Sequence, residues 1–496
     1  MQEILNGFAV ALTASNLFYC FLGCLWGTMV GILPGIGPLA GTAILIPLTF
    51  KLDPTGAIIM LAAIYYGSQY GGTITTILMG VPGEASSAIT MIDGYQMAKE
   101  GRGGVALTGA AVGSFIGGTF ATICLMILAK PLVRLALKLG PPEYFALMIV
   151  GLAMATGLAG KSMVKALIMT VFGALLALVG MDPMLGTPRL TFGSVHLLEG
   201  MELLSVVMGL FGISEMLLSL EEKARPMIKT KLRELIPTRQ DVRDSVKPIV
   251  RGTLIGTVLG IIPGLIPPVS SFLSYAIERR SSKHPEKFGH GALEGVVGPE
   301  TANNGHASAA MIPLLTLGIP TNPVMAVILG AFIINGLAPG PLLFEQNPAM
   351  VWGIIASCYI GNIMLVILNL PLIPVWVQIL RIPHAYLMTL IMAFMMVGSY
   401  SANNSIFDVG LTIFFGFLGY IFKKMDFPLA PVALTFILAP MIEKSLYRSL
   451  VMSQGDISIL YTRPISGSLL ALALITLIYF STQKKVQVVR STGVDA

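Results

Sequence analysis

Two polar runs sit inside otherwise apolar stretches of this chain, and their side chains are of the kinds that hold a small ligand. The first is Tyr65-Tyr66-Gly67-Ser68-Gln69-Tyr70-Gly71-Gly72-Thr73-Ile74-Thr75-Thr76, which leads to Val81-Pro82-Gly83-Glu84-Ala85-Ser86-Ser87. The second is Pro299-Glu300-Thr301-Ala302-Asn303-Asn304-Gly305-His306-Ala307-Ser308, which leads to Gly318-Ile319-Pro320-Thr321-Asn322-Pro323. A buried amide or hydroxyl costs ~1–3 kcal/mol when it is left unpaired. These groups must therefore satisfy one another, meet water or meet a ligand. Ser68, Thr73, Asn303 and Asn304 are the candidate ligand contacts, and hydrogen bonding between helices is the competing use of the same residues.

The chemistry suits a carboxylate moving with a cation. Free N–H donors and the helix dipole at the amino end of a broken helix both favour an anion. Gly80-Val81-Pro82-Gly83 and Gly318-Ile319-Pro320-Thr321 are expected to provide such ends. Unwound carbonyls, the acids Glu84 and Glu300, and Asn322 are the candidates for Na⁺ or a proton, since an ionisable group at membrane depth is by default a functional hypothesis. The other reading places either acid at the membrane interface. His306, alone beside Gly and Ala, reads as a structural hydrogen-bond donor before it reads as a proton relay.

The elements that position these residues come in two copies. Residues 27–38 read GTMVGILPGIGP and residues 256–267 read GTVLGIIPGLIP, with seven of twelve positions identical at an offset of 229. Gly80-Val81-Pro82-Gly83 matches Gly318-Ile319-Pro320-Thr321 at an offset of 238. Glycine recurs every four residues at 23, 27, 31 and 35 and again at 252, 256, 260 and 264, which sets a small-residue face on each helix for close backbone approach. Each run ends in prolines: Pro34-Gly35-Ile36-Gly37-Pro38 and Pro263-Gly264-Leu265-Ile266-Pro267-Pro268. Proline removes an amide donor, and broken backbone at membrane depth survives only under cover of protein or a water-filled cavity. Pro34, Gly35, Gly37, Pro263 and Gly264 are thus read as hairpin tips or helix breaks, either forming a site or acting as structural kinks.

Composition places all of this in a bilayer. Apolar residues make up 55% of the chain and charged ones 11%, with a mean hydropathy of +0.81. Segments 4–50, 54–83, 103–129, 252–277, 301–344, 348–380 and 465–483 hold no Asp, Glu, Lys or Arg. Several exceed the ~20 residues that a helix needs to cross the hydrocarbon core. The amino terminus lacks the basic start of a cleavable signal. Nine Lys or Arg lie between Glu221 and Arg251, from Lys223 onward, and none lies in residues 1–15. The positive-inside rule puts that linker in the cytoplasm and the amino terminus outside, and the tail with Lys484, Lys485 and Arg490 in the cytoplasm as well. An exterior start and a cytoplasmic linker require an odd number of crossings, which inverts the second copy.

The expected architecture is an all-α polytopic membrane protein of two inverted structural repeats, with broken helices or re-entrant hairpins and about 11–12 spans. Residues 1–220 form the first membrane repeat, 221–250 the basic linker, 251–450 the second repeat, and 451–496 an extra span and tail. Sites in such folds lie near the membrane midplane, where the halves meet.

Other classes fare less well. Five acids interleave with the basic linker, which weakens a nucleic-acid reading. Cys20, Cys24, Cys124 and Cys358 lie in apolar stretches, so Cys20 and Cys24 are expected to pack along a helix face without forming a disulfide framework. Ala155-Thr156-Gly157-Leu158-Ala159-Gly160-Lys161-Ser162 misses the first glycine of a P-loop and has no soluble strand-and-helix setting. No zinc or nucleophile signature of an enzyme is present. A channel for ions or solutes without gradient coupling is the alternative; duplicated broken helices favour alternating access.

Taken together, these residues resemble the TctA-type large membrane subunit of the tripartite tricarboxylate transporter family. The likeness is carried by Gly31 to Pro38, Tyr65 to Gly72, Pro82-Gly83-Glu84, Asp93-Gly94-Tyr95 with Met97-Ala98 and Gly101, Pro299-Glu300 with Ala302-Asn303-Asn304, and Leu317-Gly318-Ile319-Pro320. It departs from the pattern at Gly305-His306 and at Thr321-Asn322-Pro323. The resemblance implies a secondary carrier in a bacterial inner membrane that takes up citrate-like or other carboxylates with Na⁺ or H⁺ as coupling ion and no further cofactor. It also implies two partners, a small TctB-like membrane subunit and a periplasmic TctC-like solute-binding protein. Whether the subunit forms a homodimer stays open.

Overall fold

The computed structural model describes residues 2–33, 36–49, 51–158, 162–182, 184, 186–221, 228, 232–379 and 384–482. Among these, the regular elements are helices, apart from a two-residue ladder that pairs Gly180 and Met181 with Arg189 and Pro188. The protein is an all-α polytopic membrane protein. Among the described residues, five helices are long and apolar enough to cross a bilayer by themselves: Ala14–Ile32, Gly103–Ala136, Pro348–Asn369, Ile406–Lys424 and Pro464–Thr482. That is fewer than the eleven or twelve spans expected. Elsewhere polar runs dilute the apolar stretches, or the prolines and left-handed glycines cut them into shorter helices.

The interior is built on two close helix crossings. A Cβ added to Gly23, Gly27 or Gly31 would stand 2.4, 2.4 or 2.2 Å from the carbonyl oxygens of Met60, Ile64 and Ser68, so helix Ala14–Ile32 lies backbone to backbone on Pro54–Met79. The second half repeats the contact. Gly252, Gly256 and Gly260 of Arg239–Ile261 face the carbonyls of Gly298, Ala302 and His306 at 2.5, 2.2 and 2.5 Å by the same construction. The glycines correspond at the offset of 229 and the carbonyls at 238, the two spacings of the sequence match.

Helix ends recur at the same spacings. Ala14–Ile32 stops at Leu33 (φ −85°, ψ 107°) and Arg239–Ile261 stops at Ile262 (φ −82°, ψ 118°). Pro54–Met79 ends on Gly80 (φ 63°, ψ 32°) and Met311–Leu317 on Gly318 (φ 70°, ψ 24°), a left-handed conformation that favours glycine. At the other end of Pro54–Met79, Asp53 accepts from the amides of Thr55 and Gly56 and Pro54 occupies the first turn, a strong start signal. This helix is buried on nearly all sides, which is why its face carries Tyr, Gln, Ser and Thr where a lipid-exposed helix would carry aliphatics.

One carboxylate ties the halves together. Asp93 of helix Met91–Lys99 is fully buried and accepts from the amides of Gly289, Gly291 and Ala292 at 2.8, 3.0 and 2.9 Å and from the Tyr275 hydroxyl at 2.9 Å. Four donors on one ionised group replace the water it gives up. Cys20 and Cys24 are free thiols buried against helix Pro348–Asn369, with Sγ 3.9 and 3.6 Å from the carbonyls of Ser357 and Gly361. A wide π turn, Met208–Ile213, interrupts the 203–219 helical segment beside helix Gly37–Thr49.

Candidate functional site

A cavity of about 370 Å³ lies where the breaks of both halves meet. Its walls include Gly37, Pro82, Gly83, Glu84 and Asn322 from the expected set, joined by Pro38, Tyr65, Gln69, Phe211, Glu215, Pro267 and Pro323. The first residues of four helices border it: Gly37–Thr49, Pro267–Ser281, Pro323–Ile334 and Ala430–Met452. A helix amino end carries a partial positive charge, although proline, which brings no N–H, stands in the first two positions of each of these four: Pro38, Pro267 with Pro268, Pro323 and Pro431. The cavity's charged side chains are acidic. Glu84 and Glu215 line it, no Lys or Arg does so among the described residues, and Glu215 is engaged by Lys423 at 2.7 Å.

The polar atoms at the wall are organised around Glu84. Its Oε2 accepts from the Ser86 amide at 2.8 Å and is in close contact with the Ser86 hydroxyl, which also lies 2.7 Å from Gln69 Oε1. A hydroxyl has one proton to donate, so the second contact requires a proton on Glu84 or a rotated Gln69 amide. Gln69 Nε2 is buried with no partner. Across the cavity, Asn322 Nδ2 donates to the Tyr65 hydroxyl at 3.2 Å, which leaves the Tyr65 proton for another acceptor.

The breaks are held by each other. Thr75 Oγ1 donates to the Ile32 carbonyl at 2.5 Å, satisfying a helix end that would otherwise be orphaned. Gly83 packs so tightly that an added Cβ would stand 2.3 Å from the Gly31 oxygen, and its amide donates to Thr76 Oγ1 at 3.3 Å. In the second half the Gly264 amide donates to the Thr321 carbonyl at 2.8 Å, joining one break to the other just behind the cavity wall.

Deeper in the helices lies a second polar cluster. Glu300 is fully buried, and its Oε2 accepts from Thr73 Oγ1 at 2.6 Å and Asn303 Nδ2 at 3.1 Å, while Oε1 has no partner. Asn304 donates to Ser114 Oγ at 2.8 Å and to Asn303 Oδ1 at 2.5 Å. Thr73, Asn303 and Asn304 therefore come together around Glu300, apart from the cavity wall.

The remaining expected residues have structural surroundings. Ser68 donates to the Tyr65 carbonyl of its own helix at 2.8 Å, the usual back-bond of a helical serine. Gly80 and Gly318 end helices, and an added Cβ on Gly318 would meet the Pro339 carbonyl at 2.4 Å. Pro320 is buried between Gly318 and Thr321, and Pro263 packs near Gly151. Pro34 and Gly35 lie outside the described residues. His306 bonds Ser270 Oγ through Nδ1 at 2.7 Å.

One expectation is corrected. No full helix starts after Gly80-Val81-Pro82-Gly83; a three-residue turn, Ala85–Ser87, comes next, capped by Glu84. The counterpart after Gly318 does start a helix, but Asn322 Oδ1 already accepts from the amides of Val324 and Met325, both at 3.1 Å. At the helix starts Pro267 and Ala430 the capping residues Ile266 and Leu429 make no side-chain bond; Pro267, Pro268 and Pro431 bring no N–H there, and the amides of Val269 and Val432 donate to the Ile266 and Leu429 carbonyls, both at 3.0 Å. Glu215 and Phe211 were missed by sequence reasoning. They sit on the π turn and the helix after it, outside both repeated motifs, and the only signal was a lone acid in the apolar stretch 203–220.

Comparison with known proteins agrees with this architecture. The family described as the Tripartite tricarboxylate transporter TctA family matches residues 17–434. An uncharacterised 52.8 kDa protein of the TAR-I ttuC' 3' region of Agrobacterium vitis is 49% identical over 469 residues, 94% of this chain and 93% of that protein. A protein of the TAR-II ttuC' 3' region of the same organism is 51% identical over 210 residues, 42% of this chain and 87% of that protein. No solved structure matches. The chain belongs to the TctA family of tripartite tricarboxylate transporters, as a membrane component of tricarboxylate transport and not an enzyme.

Proposed function

We propose that this chain is the large transmembrane subunit of a tripartite secondary transporter that takes up tricarboxylates or related small carboxylates with Na⁺ or H⁺. In this reading it resides in a bacterial inner membrane with its amino terminus periplasmic and its carboxyl terminus cytoplasmic. A small membrane subunit accompanies it, a periplasmic solute-binding protein delivers the substrate, and its two halves are inverted repeats that rock about the central cavity.

The observation that carries the proposal is the convergence of four helix amino ends on a cavity whose charged side chains are carboxylates. The volume of about 370 Å³ falls in the range of small-molecule sites, roughly 300–1,000 Å³. The backbone dipoles, Gln69 Nε2 and the Tyr65 proton suit a carboxylate, whereas Glu84 repels it. At about 5 Å and an effective dielectric of about 20, one ionised Glu84 costs each substrate charge about 3 kcal/mol. That is about a hundredfold in affinity. A proton or Na⁺ on Glu84 removes the penalty, so substrate binds well only with its cation, and by linkage the substrate tightens the cation equally. Coupling then arises from electrostatics in one cavity. Glu300, with one carboxylate oxygen unpartnered beside Thr73 and Asn303, is a second place for a cation.

The test is uptake into vesicles that contain the chain with its two partner proteins. Labelled citrate should accumulate under an imposed Na⁺ or proton gradient and stop when both are collapsed. Unchanged accumulation after collapse would reject secondary coupling.

A further inference from the structure

We infer that the chain carries a binding site for the phosphate headgroup of an anionic phospholipid, separate from the central cavity. The site is a concavity of about 790 Å³ bounded by the start of helix Gly103–Ala136, the first turns of Arg239–Ile261, the end of Pro267–Ser281 and the loop up to Glu294. Six cations line it: Arg102, Arg243, Lys247, Arg251, Lys283 and Lys287. They come from three separate segments of chain.

The lining carboxylates are Asp241, Asp244 and Glu294, half as many as the cations. Asp241 is engaged by Arg102 at 2.5 Å and closes a capping box with Thr238, and Asp244 accepts from Gln240 at 2.8 Å. Arg251 forms a two-pronged pair with Glu278, which is buried beneath it. Among the described residues Arg243, Lys247, Lys283 and Lys287 make no ion pair. Arg243, Lys247 and Arg251 succeed one another at four-residue spacing, and like charges stacked in this way repel unless an anion lies between them. Arginine forks and lysine ammonium groups are the donors that phosphate oxygens accept best.

The neighbouring face of the same helix identifies the source of the phosphate. Val242, Val246, Val250, Leu254 and Val258 form a continuous row, each more than half exposed, running from the level of the basic concavity along the charge-free half of the helix. A headgroup seated among Lys247, Lys283 and Lys287 leaves its acyl chains beside that row. A soluble phosphate has no use for it. Basic pockets next to membrane helices are a recurrent lipid-headgroup device.

Native mass spectrometry of the full chain in neutral detergent, titrated with phosphatidylglycerol, phosphatidylcholine or pyrophosphate, tests this. Phosphatidylglycerol should be retained several-fold more than phosphatidylcholine, and millimolar pyrophosphate should not displace it. The double variant Lys247→Gln/Lys283→Gln should lose most of that preference. The charge-matched control Lys444→Gln/Arg448→Gln, on another exposed surface, should keep it. Equal retention of the two lipids overturns the site, as does equal loss in both variants. Displacement of phosphatidylglycerol by pyrophosphate would assign the concavity to a soluble phosphate and overturn the lipid assignment. Monodisperse protein with unchanged helical circular dichroism separates loss of binding from loss of fold.

Discussion

The two breaks that face each other across the central cavity share a backbone and differ in charge. Gly80 and Gly318 take the same left-handed turn, and four residues later Glu84 and Asn322 each cap the next helical segment with a side-chain oxygen. Asn322 caps a twelve-residue helix and is neutral, whereas Glu84 caps a three-residue turn and carries a carboxylate. The two halves use one device for interrupting a helix, and the proposed cation dependence rests on this single side-chain difference. The same asymmetry holds deeper in: Glu300 and Asn303 correspond, at the offset of 238, to Ala62 and Tyr65.

The largest expected effect comes from erasing that difference. Glu84→Gln should abolish gradient-driven accumulation of citrate in vesicles while leaving exchange of citrate down its own gradient. The converse change, Asn322→Asp, puts a second acid on the wall and should weaken citrate binding by about ten- to a hundredfold near neutral pH, read by titration calorimetry. It also keeps the cap, since aspartate serves the Val324 and Met325 amides as asparagine does.

Smaller effects test how the breaks are held. Gly83→Ala and Gly264→Ala each bring a Cβ to 2.3 Å from a carbonyl oxygen, of Gly31 and Gly151 respectively, and should destabilise the protein by about 1–3 kcal/mol in denaturant titrations. Gly264→Ala should be the worse of the two, because its φ of +87° adds backbone strain. Thr73→Val removes a donor from the buried Glu300 and should cost about 1–3 kcal/mol, with Thr73→Ser nearly neutral. The mildest case is Gly37→Ala. Its φ is +66° but nothing lies within 4 Å of the added carbon, so about 1 kcal/mol of backbone strain is all that is expected.

Much of the cavity was legible in the sequence because backbone interruption leaves chemical marks. Pro-Gly pairs and left-handed glycines are hard to place anywhere else, and Gly37, Pro82, Gly83, Glu84 and Asn322 all reached the wall. The reading failed where packing decides. Nothing local says that Ala85-Ser86-Ser87 closes into one turn while Pro323-Val324-Met325 starts a helix, since both come after a glycine, a proline and a capping side chain. Ser68 looked like a ligand contact because hydroxyls inside a membrane invite that reading, yet a helical serine can satisfy itself on its own backbone. Glu215 and the π turn before it carry no repeat signature, and their place at the cavity comes from tertiary contacts alone. The basic cluster around Lys247 showed in the sequence as a charge count, but the concavity it forms with Lys283 and Lys287 needed the fold.

On the proposed mechanism, a carboxylate enters the cavity only when a cation has neutralised Glu84. Binding of labelled citrate to the purified chain and to Glu84→Gln, across a matrix of pH and Na⁺ concentration, addresses it most directly. Falling pH or rising Na⁺ should tighten binding by about a hundredfold in the wild type and leave Glu84→Gln nearly unchanged. Equal cation dependence in the two proteins, or none in the wild type, would contradict it.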